Sequence, residues 1–301
     1  MIMAVLNYAE LYQQALQQRF AQGLRFNELY NTPSNAMVRW VNAKTIQVPR
    51  IDVQGFQDTD RDSIGTYTRR VDNDWETKIL EHDREFRTLV DPQDIDETNL
   101  AVSIANITRV FNDEQKIPEM DKYMASKLYS DFTGYGGTPD TTALSVDNAL
   151  DVYDQMMEEM DDAEVPMEGR ILYVTPAVNR FLKNAEKIQR QFNVQAASGA
   201  VNRGVRSLDD VQIVVVPSAR MKTAYNFTNG ATPSGEQINM ILIHPSAIVA
   251  PQKYELVSLD QPSAATGGKY LYYERKYWDV FIFERKVNGV KMNVEAGGVE
   301  G

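Results

Sequence analysis

Two histidines, His82 and His244, are all the imidazole in a chain of 301 residues, and there is no cysteine. Acid–base and nucleophilic chemistry near neutral pH draws mostly on such side chains. His82 lies in a strand-like pattern between Leu80 and Arg84, and His244 ends another just before Pro245. No motif surrounds either, so both read as structural. Disulfides, thiolate metal sites and histidine-rich metal sites are excluded. No Gly-x-Ser-x-Gly or Ser-x-x-Lys context offers a nucleophile elbow. No Gly-x-Gly-x-x-Gly or Walker-type lysine loop follows a strand pattern. Nothing supports an enzyme, and no cofactor or metal is expected.

The remaining candidate chemistry lies in carboxylates. Asp91, Asp94, Asp96 and Glu97 crowd one short segment. There they read as a helix-capping loop rather than a metal cluster, since carboxylates favour a helix N-terminus. Residues 138–168 hold no Lys, Arg or His. A helix from Ser145 or Asp147 through Met160 would bury Leu150, Tyr153, Met157 and Met160. Its acidic residues then form a solvated face, and the spacing of a calcium loop is missing. The third cluster mixes signs: Asp58, Asp60, Asp62, Asp72 and Asp74 stand against Arg61, Arg69 and Arg70. Arg69 and Arg70 sit on a segment with little apolar content. They either pair with carboxylates of a neighbouring subunit or serve their own hairpin through Asp58 or Asp60.

The elements around these residues follow from periodicity. Residues 1–30 read as helical, with Val5, Tyr12, Leu16 and Phe20 near one face, and Asn31-Thr-Pro-Ser-Asn35 is a break. Residues 43–52 alternate like a strand, with Pro49 suggesting an edge. Trp75–Leu80 reads as its partner, so residues 53–74 form a long polar hairpin tip, of a length often functional. Pro118 suits a first helical turn. The stripe Ile117, Met120, Met124, Leu128 and Phe132 then marks a long helix, stopped by Gly134, Gly136 and Gly137. An earlier helix, capped near Asp94, Asp96 or Thr98, carries Val102, Ile107 and Val110.

Further on, strands near 169–176, 211–216 and 238–243, with a helix carrying Val178, Phe181 and Leu182, form an α/β unit of short buried strands. Lys253–Leu259 is a strand. Tyr270–Phe283 alternates with both faces partly apolar and reads as a central strand. Asn288-Gly289 between valines predicts a two-residue hairpin.

Bulk properties set the class. A hydrophobic content of 43% allows a real core, and 24% charged is ordinary. A net charge of −11 argues against a general nucleic-acid binder, though not against a shell that surrounds nucleic acid without gripping it. The start, Met-Ile-Met-Ala-Val-Leu-Asn-Tyr, lacks a basic region and makes a poor signal peptide. No run reaches the roughly 18 apolar residues of a membrane span. A soluble intracellular product with no membrane association is expected.

The wording Phe-x-x-x-Val-Asp-x-x-Asp-x-Asp-Glu-Thr at 86–98, followed by Ile-Pro-Glu-Met-Asp-Lys-Tyr-x-x-Ser-Lys-Leu at 117–128, resembles major capsid proteins of tailed bacteriophages. The resemblance implies an α+β Hong Kong 97-like capsid fold. Its parts would be an N-terminal arm at 1–42, an extended loop hairpin with flanking strands at 43–90, a peripheral domain with a spine helix at 91–137 and 251–301, and an axial α/β domain at 138–250. The implied function is a coat protein that self-assembles as hexamers and pentamers into an icosahedral shell around double-stranded DNA, without sequence-specific binding. Intersubunit contacts would fall on Asp58, Asp60, Arg61, Arg69 and Arg70. The short region before the hairpin leaves no room for a long internal scaffold, which implies a separate scaffolding protein, and a portal is expected as a further partner. Assembly in the host cytoplasm and residence in the virion follow. The shell protein of a bacterial nanocompartment and an acidic α/β hydrolase stand as alternatives.

Overall fold

A computed structural model describes residues 23–42, 44–53, 71–97, 104–185 and 207–296. The elements run α1 (Asn27–Tyr30), β1 (Arg39–Trp40), β2 (Thr45–Val53), β3 (Val71–Ile79), β4 (Asp83–Val90), α2 (Pro92–Glu97), α3 (Ile104–Phe111), α4 (Ile117–Gly134) and α5 (Ala149–Asp162). There follow β5 (Ile171–Val174), α6 (Pro176–Asn184), β6 (Ser207–Leu208), β7 (Val211–Val215), β8 (Tyr225–Asn226), β9 (Thr232–Pro233), β10 (Ile238–Ile243) and β11 (Ile248–Val249). The last are β12 (Gln252–Asp260), β13 (Tyr270–Trp278), β14 (Phe281–Ile282) and β15 (Val290–Val294).

The spine helix α4 forms as its stripe predicts: Met120, Met124, Leu128 and Phe132 are all buried. Its start differs. A π-helical segment, Asn112–Lys116, joins α3 to α4, and the Ile117 N–H donates to the Asn112 carbonyl. In a continuous α-helix Pro118 would lack its hydrogen bond and press on the preceding turn. The wider π turn lets the helix run through. The Asp91–Glu97 segment likewise holds a short helix rather than a loop, with the Gln93 N–H donating to Asp91 Oδ1 at 3.0 Å.

A five-stranded sheet runs β15-β10-β5-β7-β6. Only β5 and β7 are parallel, as expected for strands joined across α6. Alternation along its strands feeds two cores. Ile171, Tyr173, Ile241 and Ile243 face α4, while Leu172, Val174, Met240 and Leu242 face α5 and α6. Strand β15 pairs antiparallel with β10, so a segment from 251–301 completes a sheet built from 138–250.

A second sheet, β12-β13-β4, lies beside the spine helix, with β13 central as its two-sided apolar pattern predicts. That strand ends at Trp278 rather than Phe283. Asp279 follows it, with its carboxylate committed to three hydrogen bonds. The third sheet, β1-β2-β3, is the hairpin ribbon. Residues 75–79 therefore belong to the ribbon and not to the sheet beside the spine, and the bend at Leu80–His82 separates the two.

The hairpin expected at Asn288-Gly289 is not there. Glu284–Gly289 is a 3-10 helix. The strands flanking it go apart, β14 to β11 and β15 to β10. Gly289 is buried for a packing reason: a Cβ there would stand 2.9 Å from Ala247 Cβ.

Candidate assembly site

The ribbon is the element that leaves the body of the molecule. Strands β2 and β3 pair over nine positions, from Thr45 opposite Ile79 to Val53 opposite Val71. One face is split along its length. Ile46 at the base is buried against Val249, Tyr277 and Phe281 and Val48 is buried beyond it, while Arg50 stands opposite Asp74 further out. The other face is open and carries large apolar side chains among Gln47, Asn73 and Thr77: Ile51 is 63% exposed, Val53 70% and Ile79 59%, with Trp75 half-exposed between them. Arg39 lies 5.5 Å over the Trp75 ring. Beyond β1 the ribbon is two-stranded, which is at best marginally stable in water, and exposed apolar side chains of this kind mark contact surfaces. Asp58, Asp60, Arg61, Arg69 and Arg70, the expected intersubunit residues, lie outside the described residues.

Hydrogen bonds root the ribbon in the body. Lys78 Nζ reaches Glu76 Oε1 at 2.5 Å and the Tyr135 hydroxyl at 2.5 Å. Burial alone would lower the Lys78 pKa, but these two partners raise it. At the bend, the Leu80 N–H donates to the Lys44 carbonyl at 2.8 Å, and the Tyr277 hydroxyl donates to the Leu80 carbonyl at 2.6 Å. Asp279, 1% exposed, accepts from the Glu81 N–H at 2.9 Å, the Val280 N–H at 2.7 Å and the Tyr123 hydroxyl at 2.7 Å. Burial, then the Asp279 charge, pushes the Tyr123 phenol far up, so it stays a donor.

Both histidines are structural here. His82 stacks on Tyr123 at 3.8 Å and meets the edges of Trp278 and Phe227. Its Nε2 lies 3.5 Å from Glu119 Oε1 and makes no hydrogen bond among the described residues. His244 Nδ1 meets Ser246 Oγ at 2.8 Å and accepts from the Ser246 N–H, capping a short turn. Its Nε2 lies 3.0 Å from the Glu168 carbonyl, not a carboxylate. Burial lowers the His244 pKa. This serine–histidine contact spans two residues of one turn, with no carboxylate orienting the ring as a triad requires. Among the described residues no group of three His, Cys, Asp or Glu could hold a metal ion, and no helix is long and apolar enough to cross a membrane.

Two further networks were not read from the sequence. Asp121, 0% exposed, accepts from the Arg25 and Phe26 N–H groups at 3.0 and 3.1 Å and pairs with Arg220 at 2.7 Å. Burial raises its carboxyl, and these donors draw part of that back. It clamps the segment at Gly23–Phe26 to the spine helix. Lys116, in the π segment, bridges Glu255 at 2.8 Å on β12 and Glu274 on β13. An acidic residue at a helix start reads as dipole compensation, and nothing local in the sequence marks partners about 100 and 140 residues away.

No protein-family model matches the chain, and no curated protein does. Solved structures do match along nearly its whole length. One from Mycobacterium phage Che8 is 17% identical, with 96% of this chain and 98% of that chain covered and a TM-score of 0.67. The asymmetric unit of the bacteriophage PhiM1 mature capsid is 15% identical, with 97% and 93% covered and a TM-score of 0.70. The capsid structure of the cyanophage P-SCSP1u is 13% identical, with 97% and 94% covered and a TM-score of 0.68. The chain therefore has the α+β fold of a tailed-phage major capsid protein, as the wording at 86–98 and 117–128 implied.

Proposed function

We propose that this chain is the major capsid protein of a tailed bacteriophage, a structural subunit that assembles into a closed shell around the genome. The carrying observation is a fold shared over at least 96% of the chain with phage capsid structures. The ribbon supports the same reading. It presents Ile51, Val53, Trp75 and Ile79 to solvent in the lone subunit, and a neighbouring copy would cover them. Symmetry repeats such a contact many times over a closed assembly.

The finer parts of the reading are these. The subunit forms hexamers and pentamers with itself. A separate scaffolding protein and a portal serve assembly, which takes place in the host cytoplasm. Residues 138–250 act as the axial domain, 91–137 with 251–301 as the peripheral one, 43–90 as the extended loop and 1–42 as the arm. The double-stranded DNA is enclosed without sequence recognition, in keeping with a net charge of −11. The subunit performs no catalysis.

Negative-stain microscopy of the protein expressed with a cognate scaffolding protein tests the reading. Rings or shells are expected, and a monomer at every concentration would refute it. Shells that carry protein cargo and no DNA in infected cells would return the nanocompartment reading.

A further inference from the structure

Between the spine helix and the sheet β12-β13-β4 lies an open cleft of about 540 Å³, reached by Arg84, Lys116, Glu119, Glu274, Lys276 and Trp278. Most of its charges are settled within the subunit. Arg84 forms two bonds to the Glu119 carboxylate, at 2.5 and 3.2 Å, and a third to the Phe227 carbonyl at 2.5 Å. Lys116 holds Glu255 and Glu274, and the second oxygen of Glu274 accepts from the Tyr272 hydroxyl at 2.8 Å.

Lys276 is the exception. Its ammonium sits 3.8 Å from the Met120 sulfur and 5.7 Å from the centre of the Trp278 ring. Neither partner neutralises a cation, and among the described residues Lys276 makes no ion pair. A half-buried ammonium with three donors and only a sulfur and an aromatic face to meet them is poorly compensated. The two carboxylates that act on it, Glu255 and Glu274, are already committed to Lys116. In line with this geometry, burial and then the neighbouring Lys116 charge lower the Lys276 pKa against the pull of those two carboxylates.

We infer that Lys276 is the receiving end of an intersubunit ion pair, in which an Asp or Glu side chain of a second copy enters the cleft and binds its ammonium. This rests on the capsid reading, which supplies the second copy. The chain's composition favours it: 42 acidic residues face 31 basic ones. Carboxylates are thus in excess over cations in every copy, so a neighbour has an acidic side chain to offer. The contact is non-covalent and supplies register between neighbours. An acidic group of one copy fits only where Lys276 of the next is unclaimed.

Zero-length carbodiimide coupling tests this, since it joins a carboxylate to an amine only when the two already touch. Shells are assembled from an equal mixture of nitrogen-15 and natural-abundance subunits, coupled, digested and read by mass spectrometry. The expected result is a Lys276 peptide joined to an acidic peptide in heavy–light pairs, absent from free subunits treated identically. Coupling found only within one isotope, to Glu255 or Glu274, overturns the inference. The variant Lys276→Gln is expected to melt no lower than wild type, because it removes an unpaired cation, while losing shell yield. A variant that assembles at wild-type yield overturns the inference as well. Failure of the wild-type protein to form any shell is a different result, and it removes the capsid reading itself.

Discussion

Arg84 on β4 and Glu119 on the spine helix meet in a two-bonded ion pair, with Arg84 Nε 2.5 Å from Glu119 Oε1 and Nη2 3.2 Å from Oε2. The same guanidinium holds the Phe227 carbonyl, so one side chain ties sheet, helix and the β8–β9 turn. Burial by itself would raise the Glu119 carboxyl, but His82 and Arg84 outweigh it and hold the pKa below 4.5.

The sign of the resulting pH dependence follows. A depressed folded-state pKa contributes stability that is present above the unfolded value and lost as pH falls through the folded one. Glu119→Gln should therefore melt below wild type at neutral pH, by about 1–3 kcal/mol for a charge-assisted contact. The gap should close as pH falls below 4.5. Thermal melts from neutral to strongly acidic pH check this. A gap that persists unchanged in acid would show that Glu119 acts by shape alone.

Asp279 gives a larger effect. Removing it strands the Glu81 and Val280 N–H groups and the Tyr123 hydroxyl. Asp279→Ala should cost about 3–5 kcal/mol in urea unfolding, whereas Tyr123→Phe, which removes one of the three bonds, should cost about 1 kcal/mol. Equal losses from the two variants would contradict a hub centred on the carboxylate.

Gly289 separates a packing role from a turn role. Its Cβ would meet Ala247 Cβ at 2.9 Å. Gly289→Ala should cost about 1–3 kcal/mol by overpacking. Adding Ala247→Gly should recover most of that loss, because the clash lies between those two atoms. Recovery is read by thermal melts of the single and double variants, and no recovery would return the explanation to backbone conformation.

The stripe on the spine helix was legible because helix periodicity is a local property, and Met120 through Phe132 all lie where it puts them. The apolar strands of the five-stranded sheet were legible for the same reason. Asn288-Gly289 misled because a turn signal carries no information about which strands the flanks pair with. Pro118 stands in the first turn of α4, as read, but the π turn before it has no single-residue signature. Asp121 with Arg220, and Lys116 with Glu274, were invisible as partners. Their pairing is created by the fold, and no residue taken alone marks its partner. Of the expected contact site, the ribbon strands were read correctly to within a few residues, but its exposed apolar face was not. That face depends on which parity of β2 the body buries, here Ile46 and Val48.

Arg69 and Arg70 carry the expectation for the ribbon tip. A single exposed pair is worth at most about 1 kcal/mol, yet a shell repeats it. Reversing both to Glu should leave the subunit's circular dichroism and melting transition unchanged while blocking or weakening shell closure under the electron microscope. Normal shells at normal yield would defeat the intersubunit role, and loss of folding would assign both arginines to their own hairpin.

The central claim is that this subunit becomes complete only among copies of itself. Electron cryomicroscopy of particles assembled with scaffolding protein tests it most directly. The account predicts a closed icosahedral lattice with five- and six-fold clusters, in which the face bearing Ile51, Val53 and Trp75 lies against a neighbouring subunit. A dispersed monomer, or a lattice in which that face remains open to solvent, would contradict it.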